Sequence, residues 1–242
     1  MKSTALRALR IHVPEVVQSG DTVTLSCEYD LEQVALYSIK WYWNDVEFYR
    51  FVPKESPPFR AFPMTHVNID TSRSGPTEVT LKGVRRQLTG DYKCEVSADG
   101  PLFHTEIRVA HMIVADLPDG NPVMDIEPAK VELGKRMEAR CYSSGSNPAA
   151  NPNLVSEDGE EVKLYPLLID TDEALGLQSS TSRIEMTALR SYFIGGIMTI
   201  KCEGTIYSIW HKYVEKLVRD DAPQLAPVLG GSTSHSHTDQ VI

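Results

Sequence analysis

Thr89-Gly90-Asp91-Tyr92-Lys93-Cys94 is the stretch that decides the fold. It places a tyrosine two residues before a cysteine. Upstream, Cys27 precedes Cys94 by 67 residues, and Trp41 follows Cys27 by 14. Around these positions run short alternating segments, Thr22-Val23-Thr24-Leu25-Ser26-Cys27 and Glu78-Val79-Thr80-Leu81, bounded by Gly, Pro, Asn and Asp. Alternation of period two is the pattern of a half-buried strand. No segment carries a long helical period.

The Cys, Trp, Tyr, Cys set is the signature of an immunoglobulin-type β-sandwich. In that fold the Trp packs on a disulfide joining the two sheets, and the Tyr anchors the corner before strand F. Four residues must agree at once, which makes the combination specific. The long gap between the cysteines leaves room for the extra C′ and C″ strands of a variable-type domain, with Asn44-Asp45 as the turn into a strand over residues 47–51. Leu88 stands where many such domains carry an Asp, so the charge pair usual at that edge is not expected.

Four cysteines, two in each half, are expected to pair as Cys27 with Cys94 and Cys141 with Cys202. No CxxC or CxxxH pair is present, so a zinc site is disfavoured. Long-loop disulfides imply an oxidising compartment. The fold class expected is all-β: two tandem immunoglobulin-like sandwiches, the first variable-type and the second divergent. The domains are placed at residues 11–115 and 123–219. A linker rich in strand breakers covers 116–122, and a disordered tail covers 220–242. The second domain lacks the tryptophan, with Leu154 in its place, and the Tyr-x-Cys corner, with Ile200 two residues before Cys202. A less complete core is expected there.

Net charge is −9 over 242 residues, and the carboxylates concentrate in the second half. Residues 1–115 hold 13 basic and 14 acidic side chains, against 11 and 19 in residues 116–242. Such a balance repels phosphate backbones and excludes nucleic acid as an expected partner. The near-neutral first half is free to dock on a protein surface.

Seven histidines bring no metal site with them. His104 and His111 flank a strand, and His235 and His237 sit in the tail. The run Glu157, Asp158, Glu160 and Glu161 around Gly159 reads as a solvated turn. No nucleophile elbow, zinc helix or phosphate loop is present. Neither catalysis nor a cofactor is expected.

Residues 1–7 hold no apolar run able to form a signal-peptide core. The chain is therefore expected to be a mature or truncated form, or one whose first exon is missing. No run approaches a membrane span. The six asparagines form no Asn-x-Ser/Thr sequon, so N-glycosylation is not expected, which weighs mildly against export.

Several stretches resemble the beaten path family of insect neuronal immunoglobulin proteins. They are Cys27-Glu28-Tyr29-Asp30-Leu31-Glu32, Leu36-Tyr37-Ser38-Ile39-Lys40-Trp41-Tyr42, Glu47-Phe48-Tyr49-Arg50-Phe51, Phe62-Pro63, Cys94-Glu95-Val96-Ser97-Ala98-Asp99 and Pro148-Ala149-Ala150-Asn151. The resemblance runs from about Ile11 to Asn151. It implies a secreted or cell-surface protein that binds a sidestep-like immunoglobulin receptor in axon guidance or synaptic partner matching, with the N-terminal domain as the contact. A secreted immune protein binding a glycan or microbial surface is the alternative.

If Trp41 and Cys94 point inward, pleat alternation turns Lys40, Tyr42, Lys93 and Glu95 outward. These four, with Tyr49, are the expected partner-binding residues, because exposed Tyr among mixed charges is the composition of a protein-binding patch.

Overall fold

The computed structural model describes residues 6–101, 103–156 and 162–221. Among these residues there is no α-helix; strands and three short 3-10 turns make up the regular structure. The residues 157–161 read as a solvated turn, the His235 and His237 pair, and the tail of 220–242 beyond Asp221 lie outside the described residues.

The first half contains β1 (Arg7–His12), β2 (Val16–Gln18), β3 (Val23–Asp30), β4 (Leu36–Trp43), β5 (Val46–Phe51), β6 (Phe59–Ala61), β7 (Glu78–Leu81), β8 (Gly90–Ala98) and β9 (Thr105–Ala115). One sheet has the order β1-β3-β7. The other has six strands in the order β2-β9-β8-β4-β5-β6. The presence of β5 and β6 beyond β4 is the variable-type arrangement.

Cys27 on β3 and Cys94 on β8 join the two sheets, with Cα atoms 6.4 Å apart. Trp41 lies opposite Cys94 in the ladder and is wholly buried. Tyr92 donates its hydroxyl to the carbonyl of Leu88 at 2.8 Å, closing the corner. Its ring meets Phe48 edge-on, with centroids 6.3 Å apart. Leu88 fills the core in place of the polar residue usual there.

Local chemistry explains the glycine in the deciding stretch. A Cβ on Gly90 would come within 2.5 Å of Asn44 Oδ1 and 2.9 Å of Trp43 Nε1, so a side chain there would force Asn44 and Trp43 to shift. Asn44 and Asp45, with φ of 44° and 68°, form the two-residue turn between β4 and β5. Asn44 Oδ1 accepts from the Asp91 amide at 3.0 Å, tying that turn to β8.

The second half contains β10 (Val123–Glu127), β11 (Lys130–Val131), β12 (Arg136–Ser146), β13 (Asn151–Ser156), β14 (Val162–Leu164), β15 (Leu168–Asp172), β16 (Leu177–Thr187), β17 (Ile197–Ile206) and β18 (Trp210–Asp220). One sheet runs β10-β12-β16-β14, with β15 also pairing β16; the other runs β11-β18-β17-β13. This strand set is closer to a constant-type sandwich.

Cys141 on β12 and Cys202 on β17 join these sheets, with Cα atoms 5.7 Å apart. Leu154 is buried opposite Cys202. Four methionines, Met124, Met137, Met186 and Met198, share that core. Flexible thioethers fill irregular space, which suits a site that carries Leu where Trp is usual. The hydroxyl of buried Tyr192 finds no hydrogen-bond partner among the described residues.

Candidate protein-docking face

The outer face of the six-stranded sheet is set by the register of its strands. Lys40 lies opposite Glu95 on β8 and Arg50 on β5, while Tyr42 lies opposite Lys93 and Glu47. Across the next ladder, Glu95 faces Ile107 and Lys93 faces Val109, both on β9. The structure therefore brings Lys40, Tyr42, Lys93 and Glu95 onto one face, each of them partly exposed.

Glu95 is the hub of this face. Its Oε1 accepts from Lys40 Nζ at 2.7 Å and its Oε2 from the Tyr42 hydroxyl at 3.2 Å. The hydrogen bond to Glu95 raises the Lys40 amine above its usual pKa. Partial burial, followed by the Glu95 charge, raises the Tyr42 phenol. Next to this hub, Arg50 grips Glu47 with two hydrogen bonds of 2.7 and 2.9 Å. That grip raises the guanidinium pKa further. Lys93 pairs with Asp45, and His111 lies 2.7 Å from Asp91. The charges on this face thus compensate one another within the face.

Tyr49 departs from the expected outward position. It is fully buried, its hydroxyl 3.4 Å from the Gly75 carbonyl, and burial pushes its phenol to about 12. The cause is a β-bulge: Trp41 pairs with Tyr49, yet Tyr42 pairs with Glu47, which leaves Phe48 as an extra residue. One inserted residue shifts the alternation, so that Phe48 and Tyr49 both turn inward. Tyr49 supports the face from beneath and has no surface to offer a partner.

Ile107 and Val109 were missing from the sequence-based set. They are 48% and 51% exposed, and they form the apolar part of the face. β2 pairs with β9 only over Ile113, Val114 and Ala115, which leaves the preceding part of β9 at a sheet edge. The sequence signal was the alternation of Ile107 and Val109 in phase with His111, on the side opposite buried Met112 and Val114.

Among the described residues, no three His, Cys, Asp or Glu side chains converge on a point that could hold a metal. No helix among them is long and apolar enough to cross a membrane.

No protein-family model matches the chain. Human junctional adhesion molecule A is 27% identical over 149 residues, which are 60% of this chain and 46% of that protein. The chain thus spans about half the length of the curated relative it matches. Among solved structures, murine CEACAM1b aligns over 88% of this chain and 99% of its own, with a TM-score of 0.61 and 14% identity. Bovine butyrophilin aligns over 84% of this chain and 93% of its own, with a TM-score of 0.56 and 17% identity. With the two disulfide-linked sandwiches, these likenesses define the fold as that of the immunoglobulin superfamily.

Proposed function

We propose that this chain is an extracellular recognition protein that docks the outer β9-β8-β4-β5 face of its first domain onto another immunoglobulin-type cell-surface protein. The observation that carries this reading is the composition of that face. Half-exposed Ile107 and Val109 on β9 and partly exposed Tyr42 on β4 flank Lys93 and Glu95 of the intervening β8, whose charges are already paired with Asp45 and Lys40. Exposed apolar and aromatic groups set among polar groups whose charges are already paired are the composition of a protein interface. The likeness to an adhesion molecule supports the same reading.

The finer assignment rests on the sequence stretches that resemble the beaten path family. On that reading the partner is a sidestep-like receptor, the setting is axon guidance or synaptic partner matching, and the protein is secreted or held at the cell surface. It acts by binding, without catalysis or cofactor. The glycan-binding alternative calls for a groove lined by aromatic platforms. The described clefts lie instead between the two halves and beside β10 and β12, away from this face.

A binding screen of the exported chain against the neuronal immunoglobulin receptors of the same animal tests the assignment. Capture of a sidestep-like receptor is the expected result. Capture of a glycan array in place of any receptor would overturn it.

A further inference from the structure

The turn that anchors Tyr92 also reaches across to the second half of the chain. In the 3-10 turn Arg86–Leu88, Leu88 enters the first core and lends its carbonyl to Tyr92. Arg86 points the other way. Its guanidinium lies 3.4 Å from Asp116 Oδ2 in the connector, and donates to the Gly176 carbonyl at 3.1 Å and to the Leu175 carbonyl. Both carbonyls belong to the tight turn between β15 and β16.

That turn is shaped to present them. Asp172 Oδ1 accepts from the amides of Ala174 and Leu175 at 2.9 and 3.0 Å, and the Gly176 amide donates to the Asp172 carbonyl at 2.7 Å. Gly176 sits in the left-handed region at φ 64°, and a Cβ there would come within 3.0 Å of Arg86 Nη2. Asn147 Nδ2 donates to the same Gly176 carbonyl at 2.7 Å. The backbones of Asn147 and Asp116 exchange hydrogen bonds of 2.9 and 2.8 Å. Arg86, Asp116, Asn147 and Gly176 are therefore one connected hub.

Beside the hub lies a small apolar core shared by the two halves. Val16 and Ala115 come from the first, and Ala150, Ile206 and Trp210 from the second. The Trp210 ring lies over Gly204, where a Cβ would come within 2.7 Å of it. Apolar burial of this kind attracts without direction. A guanidinium holding fixed acceptors adds direction, because its donors form a rigid planar fork.

We propose that Arg86 is a positioning residue, a latch that fixes the orientation of the second domain against the first so that the chain moves as one body. The geometry gives Arg86 this role because it joins the first domain's corner turn to the β15–β16 turn, adding a second directional tie to the Asp116–Asn147 backbone bonds and the non-directional apolar core. A lysine does not replace it, since one compact ammonium cannot match the spread of acceptors that the fork spans.

Residual dipolar couplings on the full chain test the latch, with near-UV circular dichroism as the check that both cores stay folded. In the wild type, one alignment tensor should fit both halves. In Arg86→Gln the halves should need separate tensors, and small-angle scattering should show a broader distance distribution. Gly176→Ala attacks the latch from the second domain without touching the first core, so it decides the matter if Arg86→Gln disturbs folding. Arg86→Lys should fall between wild type and Arg86→Gln. A single shared tensor in both Arg86→Gln and Gly176→Ala would overturn the proposal. No partner enters the measurement, so its outcome is independent of the recognition reading.

Discussion

Leu154 lies opposite Cys202 in the ladder between β13 and β17, the register that Trp41 holds opposite Cys94 between β4 and β8. The second sandwich keeps the position of the tryptophan and lacks its volume. Four methionines in the same core take up part of the difference. Leu154→Ala should cost about 2–5 kcal/mol, through lost burial and a cavity. Leu154→Trp should cost less, because thioether side chains can repack around a larger ring and overpacking is worth about 1–3 kcal/mol. Thermal melts of the full chain rank the two variants. A larger fall for Trp than for Ala would mean that the site is already closed around leucine.

The tyrosine corner makes a second, sharper prediction. Tyr92 is buried, its hydroxyl bonds the Leu88 carbonyl at 2.8 Å, and burial raises its pKa. Tyr92→Phe removes the donor and leaves the carbonyl without it inside the core. The expected loss is about 1–3 kcal/mol in urea unfolding. An unchanged midpoint would show that water satisfies that carbonyl in the variant.

Acid should weaken the fold through identifiable carboxylates. Hydrogen bonds from Arg140, Lys201 and Lys54 hold Glu138, Glu203 and Asp99, respectively, below their usual pKa. A depressed folded pKa contributes stability that is complete above the unfolded value and is lost as pH falls through the folded value. Stability should therefore stay level down to about pH 4.3 and decline below it. These groups lie at the surface, so added salt should flatten the decline. The double variant Glu138→Gln, Glu203→Gln should lose part of the acid limb in urea midpoints measured against pH. An acid limb identical to wild type would assign the decline to other groups.

Much of the fold was legible in the sequence, because the Cys, Trp, Tyr, Cys set ties four positions to one geometry. The inward and outward assignment on β4 and β8 followed from alternation about Trp41 and Cys94. Tyr49 was misplaced because a bulge changes the phase of a strand, and nothing in Glu47-Phe48-Tyr49 announces the extra residue. Ile107 and Val109 looked like ordinary strand residues until the short reach of β2 left their part of β9 at an edge. Trp210 packs in the core shared by the halves, a place that depends on how the domains meet. Arg86 was hidden for the same reason. Besides Asp116, its acceptors are two backbone carbonyls 89 and 90 residues away, which leave no mark on the sequence.

The last prediction concerns the docking face. Lys40, Tyr42 and Glu95 are already joined by hydrogen bonds of 2.7 and 3.2 Å, and Lys93 is paired with Asp45. A partner therefore meets a surface whose charges are largely satisfied, and its binding energy should come from the apolar and aromatic groups. Tyr42→Ala should cost on the order of 2 kcal/mol of binding, roughly thirtyfold in affinity, the size of a hot-spot truncation. Glu95 keeps its bond to Lys40 in that variant, so the fold should be little changed. Ile107→Asp should also weaken binding, since it replaces an exposed apolar contact by a carboxylate opposite Glu95 that a partner would have to desolvate. Lys93→Glu should act mainly by slowing association, and the wild-type association rate should depend weakly on salt. Surface plasmon resonance with the receptor from the binding screen, at low and high salt, measures all four quantities. Unchanged affinity in both Tyr42→Ala and Ile107→Asp would move the contact to another face of the chain.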